Sequence, residues 1–381
     1  MSYSKYLLTE ITLQKIGFVT ILSWFACGLS FASKAQDLNQ LASSPVNQMQ
    51  VTFNKVQSFA SIYANELGKP IACKEDFNGG VKFCFEALRN DGNAPFILLP
   101  KVSPNLTQVK GVIVLFHGLS DSPYFMSSIG EFLRSKGYIV IAPLTPGHGK
   151  IAADADMQDE ALKMRWLKHT KDVMAFANEI AETEKLPVAV GGFSTGGAFA
   201  TYYAINHPEH VDAILLFSGA LELSGSAETM SNIWGMKSLA KWLDGEYKTD
   251  GGHPFKYPSV ASYAGLVLMD VIHDIRDILE AKKVAIPIFS AHSMSDKTTL
   301  FSGVERLTNQ IKGDHRLFKI DESYDLCHAD VPMSAVQIVN LKFDKSKVNA
   351  SEKCVVPKAN PLHNQMLLML DLFLNDNLTK K

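Results

Sequence analysis

One turn, Gly192-Phe193-Ser194-Thr195-Gly196, constrains the fold of this 381-residue chain more than any other feature. It follows an apolar run, Pro187-Val188-Ala189-Val190-Gly191, and opens a small-residue stretch, Gly197-Ala198-Phe199-Ala200, that reads as a helix. A strand that turns this abruptly into a helix strains its central residue, and glycines two before and two after leave room for it. Oγ of Ser194 then stands clear of the strand end, which makes Ser194 the candidate nucleophile. A pentad of this form is also compatible with a plain flexible turn. The order of the surrounding elements and of the residues described below favours the nucleophile.

Apolar runs and helical patterns alternate along the chain. Strands are expected at residues 111–116, 138–143, 187–191, 211–218, 285–291 and 317–320. Helices are expected at 124–135, 159–184, from the elbow to about 206, at 299–311, and at the C-terminus from His363. Strands that alternate with helices need right-handed crossovers, which place helices on both faces of a mostly parallel sheet. Ahead of this pattern, Phe53, Val56, Phe59 and Tyr63 recur at helical spacing. Two extended runs, 81–88 and 94–100, flank Asn90-Asp91-Gly92-Asn93 and read as a hairpin at an antiparallel sheet edge. Across residues 220–284 the strand rhythm stops, as expected of a helical lid. There Met230, Ile233, Trp234, Met236, Leu239, Trp242 and Leu243 form an amphipathic stripe with Lys237 and Lys241. The stripe either packs on the core or contributes to an apolar substrate pocket.

With 46% hydrophobic residues, the chain has enough for one large core. Its balance of 37 basic and 39 acidic residues gives no electrostatic footprint for nucleic acid. Residues 1–35 read as a signal peptide: Lys5 and Lys15 precede an apolar run from Ile16 to Ala26, and Ser33-Lys34-Ala35 supplies a cleavage site before Gln36. This implies a secreted or periplasmic protein, folded over residues 36–381, with no stable membrane insertion after cleavage. An uncleaved N-terminal anchor or a lipidated Cys27 are the alternatives. Export turns paired thiols into staples. Of the four cysteines left, nearness in sequence favours Cys73 with Cys84 and Cys327 with Cys354. No CxxC or close His/Cys set suggests a metal, and no cofactor is implied.

The first parallel strand ends in Phe116-His117-Gly118-Leu119-Ser120-Asp121-Ser122, where a glycine permits close backbone approach to a ligand. Backbone N–H groups of Leu119 and Thr195 are the candidate oxyanion hole, with His117 fixing the loop. To reach Ser194 Oγ at the carboxyl edge of the sheet, the acid and base must follow the last two strands. Asp296 follows Pro287-Ile288-Phe289-Ser290-Ala291. His328 lies in Ser323-Tyr324-Asp325-Leu326-Cys327-His328. Among rivals, His292 is expected to shape the acid loop, His315 to face solvent, and His363 to cap or pack. Asp325 and Asp330 stand too near His328 in sequence to approach its far ring nitrogen easily.

Three stretches carry a resemblance to the α/β-hydrolase family and its monoacylglycerol lipase and carboxylesterase branch. They are His117-Gly118-Leu119-Ser120-Asp121-Ser122, Pro143-Leu144-Thr145-Pro146-Gly147-His148-Gly149 and Gly192-Phe193-Ser194-Thr195-Gly196-Gly197. The resemblance covers residues 110–329 and the final helix. It implies the α/β-hydrolase fold, a serine that attacks an ester carbonyl, a histidine proton shuttle and a small-molecule ester or lipid substrate. Two departures stand out: Ser293 occupies a position where the family usually has glycine, and residues 331–361 form an unusual insertion. A serine peptidase or amidase of the same fold is the alternative, with Glu222, Glu228 and Asp244 available to anchor a substrate amine. A non-catalytic binding protein on this fold is another.

Overall fold

The computed structural model describes residues 57–75, 77–101 and 108–378. The signal-peptide, anchor and Cys27 readings lie outside these residues. In chain order the strands are β1 (Pro70–Ile71), β2 (Gly80–Lys82), β3 (Cys84–Phe85), β4 (Phe96–Leu98), β5 (Gly111–Phe116), β6 (Tyr138–Ala142), β7 (Val188–Phe193), β8 (Ala213–Phe217), β9 (Ile288–Ser293) and β10 (His315–Ile320). Eight of them form one sheet in the order β10-β9-β8-β7-β5-β6-β4-β2. The six strands from β5 to β10 are parallel, and β4 pairs antiparallel with both β6 and β2.

Side chains along the central strands alternate between two cores. Val112, Val114 and Phe116 face one layer while Ile113 and Leu115 face the other. Ile214 and Leu216 share the first layer, and Ala213, Leu215 and Phe217 the second. Both faces are apolar because both are covered, as a parallel sheet requires. The principal helices are α1 (Ser127–Ser135), α2 (Leu162–Glu184), α3 (Thr195–Asn206), α4 (Gly225–Ser231), α5 (Met236–Asp244), α6 (Ser262–Ala281), α7 (Phe301–Gln310), α8 (Ala335–Asn340) and α9 (His363–Asn377). Helices α2, α3, α6 and α7 contribute to the first core, and α1 and α9 to the second.

The N-terminal edge differs from the expected hairpin. The first extended run breaks at Phe83: β2 joins the large sheet opposite β4, while β3 pairs with β1 as a separate antiparallel ribbon. Asn90 caps a short 3-10 turn at Asp91–Asn93 instead of a tight two-residue loop. A Cβ on Gly92 would meet the Phe255 ring at 2.0 Å, so tertiary packing fixes this turn.

The segment between β8 and β9 holds α4, α5 and α6. Its amphipathic stripe behaves in neither of the ways expected. Trp234, Trp242 and Leu243 are mostly solvent-exposed, as are Met230, Ile233 and Leu239 to a lesser degree, and none of these six lines the cavity at Ser194. Only Met236 packs on the core. Among the described residues no helix is long and apolar enough to cross a membrane.

Candidate active site

Strand order reverses around β5: the chain passes from β5 to β6 on one side, then returns to β7 on the other. The carboxyl ends of β5 and β7 therefore open a crevice between diverging loops, the usual ligand position in such sheets. Ser194 follows β7 with φ 53 and ψ −119 and caps α3. A Cβ on Gly192 would lie 2.4 Å from the Phe116 carbonyl oxygen, and one on Gly196 would lie 2.2 Å from it. These clashes with backbone explain why only glycine fits on either side of the turn.

Asp296 and His328 come to the same point from the loops after β9 and β10. His328 Nε2 lies 2.9 Å from Ser194 Oγ, and His328 Nδ1 lies 2.6 Å from Asp296 Oδ2. Both contacts are satisfied when Nδ1 carries the proton and donates to the carboxylate, leaving Nε2 to accept from the serine hydroxyl. Burial works against ionisation of Asp296. The adjacent His328, both as a charge and as a hydrogen-bond donor, outweighs it with help from His292 and the Thr298 amide, and holds the carboxyl at about 2. The acid is therefore a fixed anion across the physiological range. Phe193 packs against the imidazole with ring centroids 4.8 Å apart.

Sequence reasoning missed two residues that set this geometry. Thr299 is fully buried, and its hydroxyl donates to Asp296 Oδ2 at 3.0 Å while its amide and that of Thr298 donate to Oδ1. Ser293, at the position where a glycine is usual, donates from Oγ to the Leu326 carbonyl at 2.7 Å and so ties the acid loop to the histidine loop. An Asp-x-x-Thr spacing after a buried strand was the available signal for the first. For the second, the sequence marked the position as a departure from the family pattern but not its partner, Leu326.

The remaining histidines are occupied elsewhere. His292 contacts the Thr299 carbonyl at 3.0 Å. His117 accepts from the Thr145 amide through Nε2 and contacts the Gly118 carbonyl through Nδ1, which holds the loop before Leu119. His148 is buried against Thr145 and Pro146. His363 packs between Ser128 and Pro332. His315, expected to face solvent, is half-buried and contacts the Ile311 carbonyl. Asp325 pairs with Lys353, and Asp330 accepts from the Lys358 amide, so neither serves His328.

Leu119 and Thr195 line the same cavity as Ser194, a space of about 410 Å³. Thr195 begins α3, so its N–H has no partner inside the helix. Neither backbone N–H makes a hydrogen bond among the described residues. Cys73 is bonded to Cys84 and Cys327 to Cys354. The second bond joins the residue before His328 to the 331–361 segment, and both of its cysteines line the cavity.

Asp330 gives a pH signature close to this site. Burial raises its carboxyl from the ordinary 3.8 to about 6, against the Lys358 amide and the charges of Lys358, Lys256 and His328. The folded state thus holds a proton that the unfolded chain releases, and stability falls as pH rises between about 4 and 6. Asp330→Asn keeps an oxygen for the Lys358 amide and cannot ionise. Relative to the native protein, it is expected to gain on the order of 3 kcal/mol between pH 4 and pH 7, visible as a few degrees in Tm. Parallel Tm profiles for the two proteins would show that Asp330 does not titrate in this window.

A parallel-dominated sheet with helices on both faces, and a serine on a strained turn at its carboxyl edge, together define an α/β hydrolase. The chain belongs to the serine aminopeptidase S33 family, whose model matches residues 107–328. It is 25% identical over 132 residues to a thermostable monoacylglycerol lipase of Bacillus sp. strain H-257, covering 35% of this chain and 48% of the relative. It is also 25% identical over 148 residues to chlorophyllase-1 of Arabidopsis thaliana, covering 38% of this chain and 44% of that protein. The match thus spans just under half the length of these relatives. The fold is shared with a soluble variant of the monoglyceride lipase of Saccharomyces cerevisiae at a TM-score of 0.55 and 14% identity, covering 81% of this chain and 96% of that one.

Proposed function

We propose that the protein is a serine hydrolase of carboxylic esters that works through an acyl-enzyme on Ser194. The observation that carries this reading is the continuous hydrogen-bonded chain from Ser194 Oγ through His328 to Asp296, at the wall of a cavity that also presents the apolar side chains of Leu119, Leu223, Val260 and Leu268. As Oγ attacks the ester carbonyl, His328 Nε2 takes the hydroxyl proton and Asp296 stabilises the imidazolium. The carbonyl oxygen becomes an oxyanion received by the Leu119 and Thr195 N–H groups, each such donor contributing ~3 to 4 kcal/mol of barrier reduction. Collapse breaks the ester C–O bond, and His328 returns its proton to the departing alkoxide. Water then repeats the sequence and releases the acid.

The relatives' names include lipases, and the family name includes an aminopeptidase. An aminopeptidase needs a free carboxylate to hold the substrate amine. The three acids that the sequence offered for this are committed elsewhere, and the one carboxylate in the cavity, Asp121, is paired with Lys256. Glu222 pairs with Arg306, Glu228 grips Arg276 with both oxygens, and Asp244 accepts from the Ser262 and Tyr263 amides. None of these three lines the cavity, which favours the ester reading. Two disulfides suit an oxidising compartment and support export. The helices of residues 220–284 contribute Leu268 to the cavity and are read as its lid.

The test is a fluorophosphonate label on the purified protein, followed by hydrolysis of p-nitrophenyl esters from two to sixteen acyl carbons. Labelling with turnover that peaks at one chain length is the expected result. Labelling with turnover of aminoacyl amides alone would replace the ester reading by the peptidase one, and no labelling would leave a binding protein.

A further inference from the structure

The apolar wall and two of the three lysines reach the cavity from different parts of the chain. Leu223, Val260 and Leu268 come from the connection between β8 and β9, whereas Lys297 follows the acid and Lys353 belongs to the 331–361 segment. A third lysine, Lys256, also lines the cavity, and the single carboxylate among the lining residues is Asp121. Those two already neutralise each other. Asp121 is buried beside the Leu119 loop, with an oxygen 2.5 Å from Lys256 Nζ.

The other two ammonium groups are available. Lys353 pairs with Asp325 at 2.5 Å, but both side chains are more than half exposed, and such pairs contribute little and exchange readily. Lys297 is exposed and makes no hydrogen bond or ion pair among the described residues. Two cations beside a low-dielectric wall focus a positive potential into the cavity. A wholly uncharged ester would make no use of that potential.

We propose that the cavity selects esters whose alcohol portion carries an anionic group, a carboxylate or a phosphate, held by Lys297 and Lys353, with the acyl chain against Leu223, Val260 and Leu268. This inference rests on the ester-hydrolase reading. It adds a binding role for the loop after β9 and for the insertion that the reaction itself does not require.

Three butyrate esters test it: glycerol monobutyrate, butyryl glycerol phosphate and O-butyryl lactate. For the native protein, KM of at least one anionic ester is expected to be about five-fold or more below that of the neutral one, the size of one exposed charge contact. That preference should shrink in 0.5 M NaCl and fall towards one, or invert, in Lys297→Glu. Whether phosphate or carboxylate gains more identifies the group. Equal KM for neutral and anionic esters, or a preference unchanged by salt and by the substitution, overturns the inference while leaving the ester reading intact. No fluorophosphonate label, or no turnover of any p-nitrophenyl ester from two to sixteen acyl carbons, overturns both, whereas such turnover with all three butyrate esters inert overturns the inference alone.

Discussion

Ser194→Ala is expected to lower kcat for p-nitrophenyl butyrate by about 10⁶-fold and to abolish fluorophosphonate labelling, with little change in fold. The size follows from the shared work of the site. Without Oγ there is no acyl-enzyme, and the remaining histidine and carboxylate have no proton to move. What survives is binding and the two N–H donors, which support only a slow attack by water. Because the three side chains act as a unit, the double variant Ser194→Ala with Asp296→Asn should be hardly slower than the single one. A loss below a hundred-fold for Ser194→Ala would assign the nucleophile to another residue.

Asp296→Asn is the second large effect, expected at about 10⁴-fold in kcat. Its cause can be read from the hydrogen bonds. The amides of Thr298 and Thr299 both donate to Oδ1, so the asparagine must place its carbonyl oxygen there and its NH2 at the position of Oδ2. That NH2 then faces His328 Nδ1 and forces it to accept. The ring proton moves to Nε2, where it meets Ser194 Oγ as a second donor, and the imidazole can no longer take the serine proton. Thr299 Oγ1 accepts from the new NH2, so the loop survives. The measurement is kcat and KM beside Tm. A fall in kcat with Tm within a few degrees of the native value supports the tautomer argument, and kcat within ten-fold of native would refute it.

Much of this site is legible in the sequence because its geometry depends on elements with strong local signatures. The elbow needs an apolar strand, two glycines and a small-residue helix, and all of these are contiguous. The positions of Asp296 and His328 followed from requiring each to stand at the carboxyl end of a parallel strand. Elements set by long-range packing were less accessible. β3 leaves the expected hairpin because Cys84 pairs beside Ile71, thirteen positions earlier, in a ribbon that no periodicity reveals. The stripe around Trp234 and Trp242 has the pattern of a buried face, yet its exposure depends on what the core leaves uncovered. Ser293 acts through one hydrogen bond across loops, to Leu326, and such a long-range partner leaves no spacing signal, whereas Thr299 bonds Asp296 within its own loop at a spacing that the sequence does carry.

The left-handed backbone of Ser194 has a further consequence, for evolution and engineering. A non-glycine residue at φ 53 and ψ −119 stores about 1 to 3 kcal/mol of strain. Glycine would release that strain and return about 0.5 to 1 kcal/mol through the greater freedom of the unfolded chain. The dead variant Ser194→Gly should therefore unfold at a higher temperature than Ser194→Ala, with a net gain of about 1 kcal/mol by difference. Selection for robustness alone would then erase the nucleophile, and a library screened only for thermal tolerance would drift towards inactive sequences at this position.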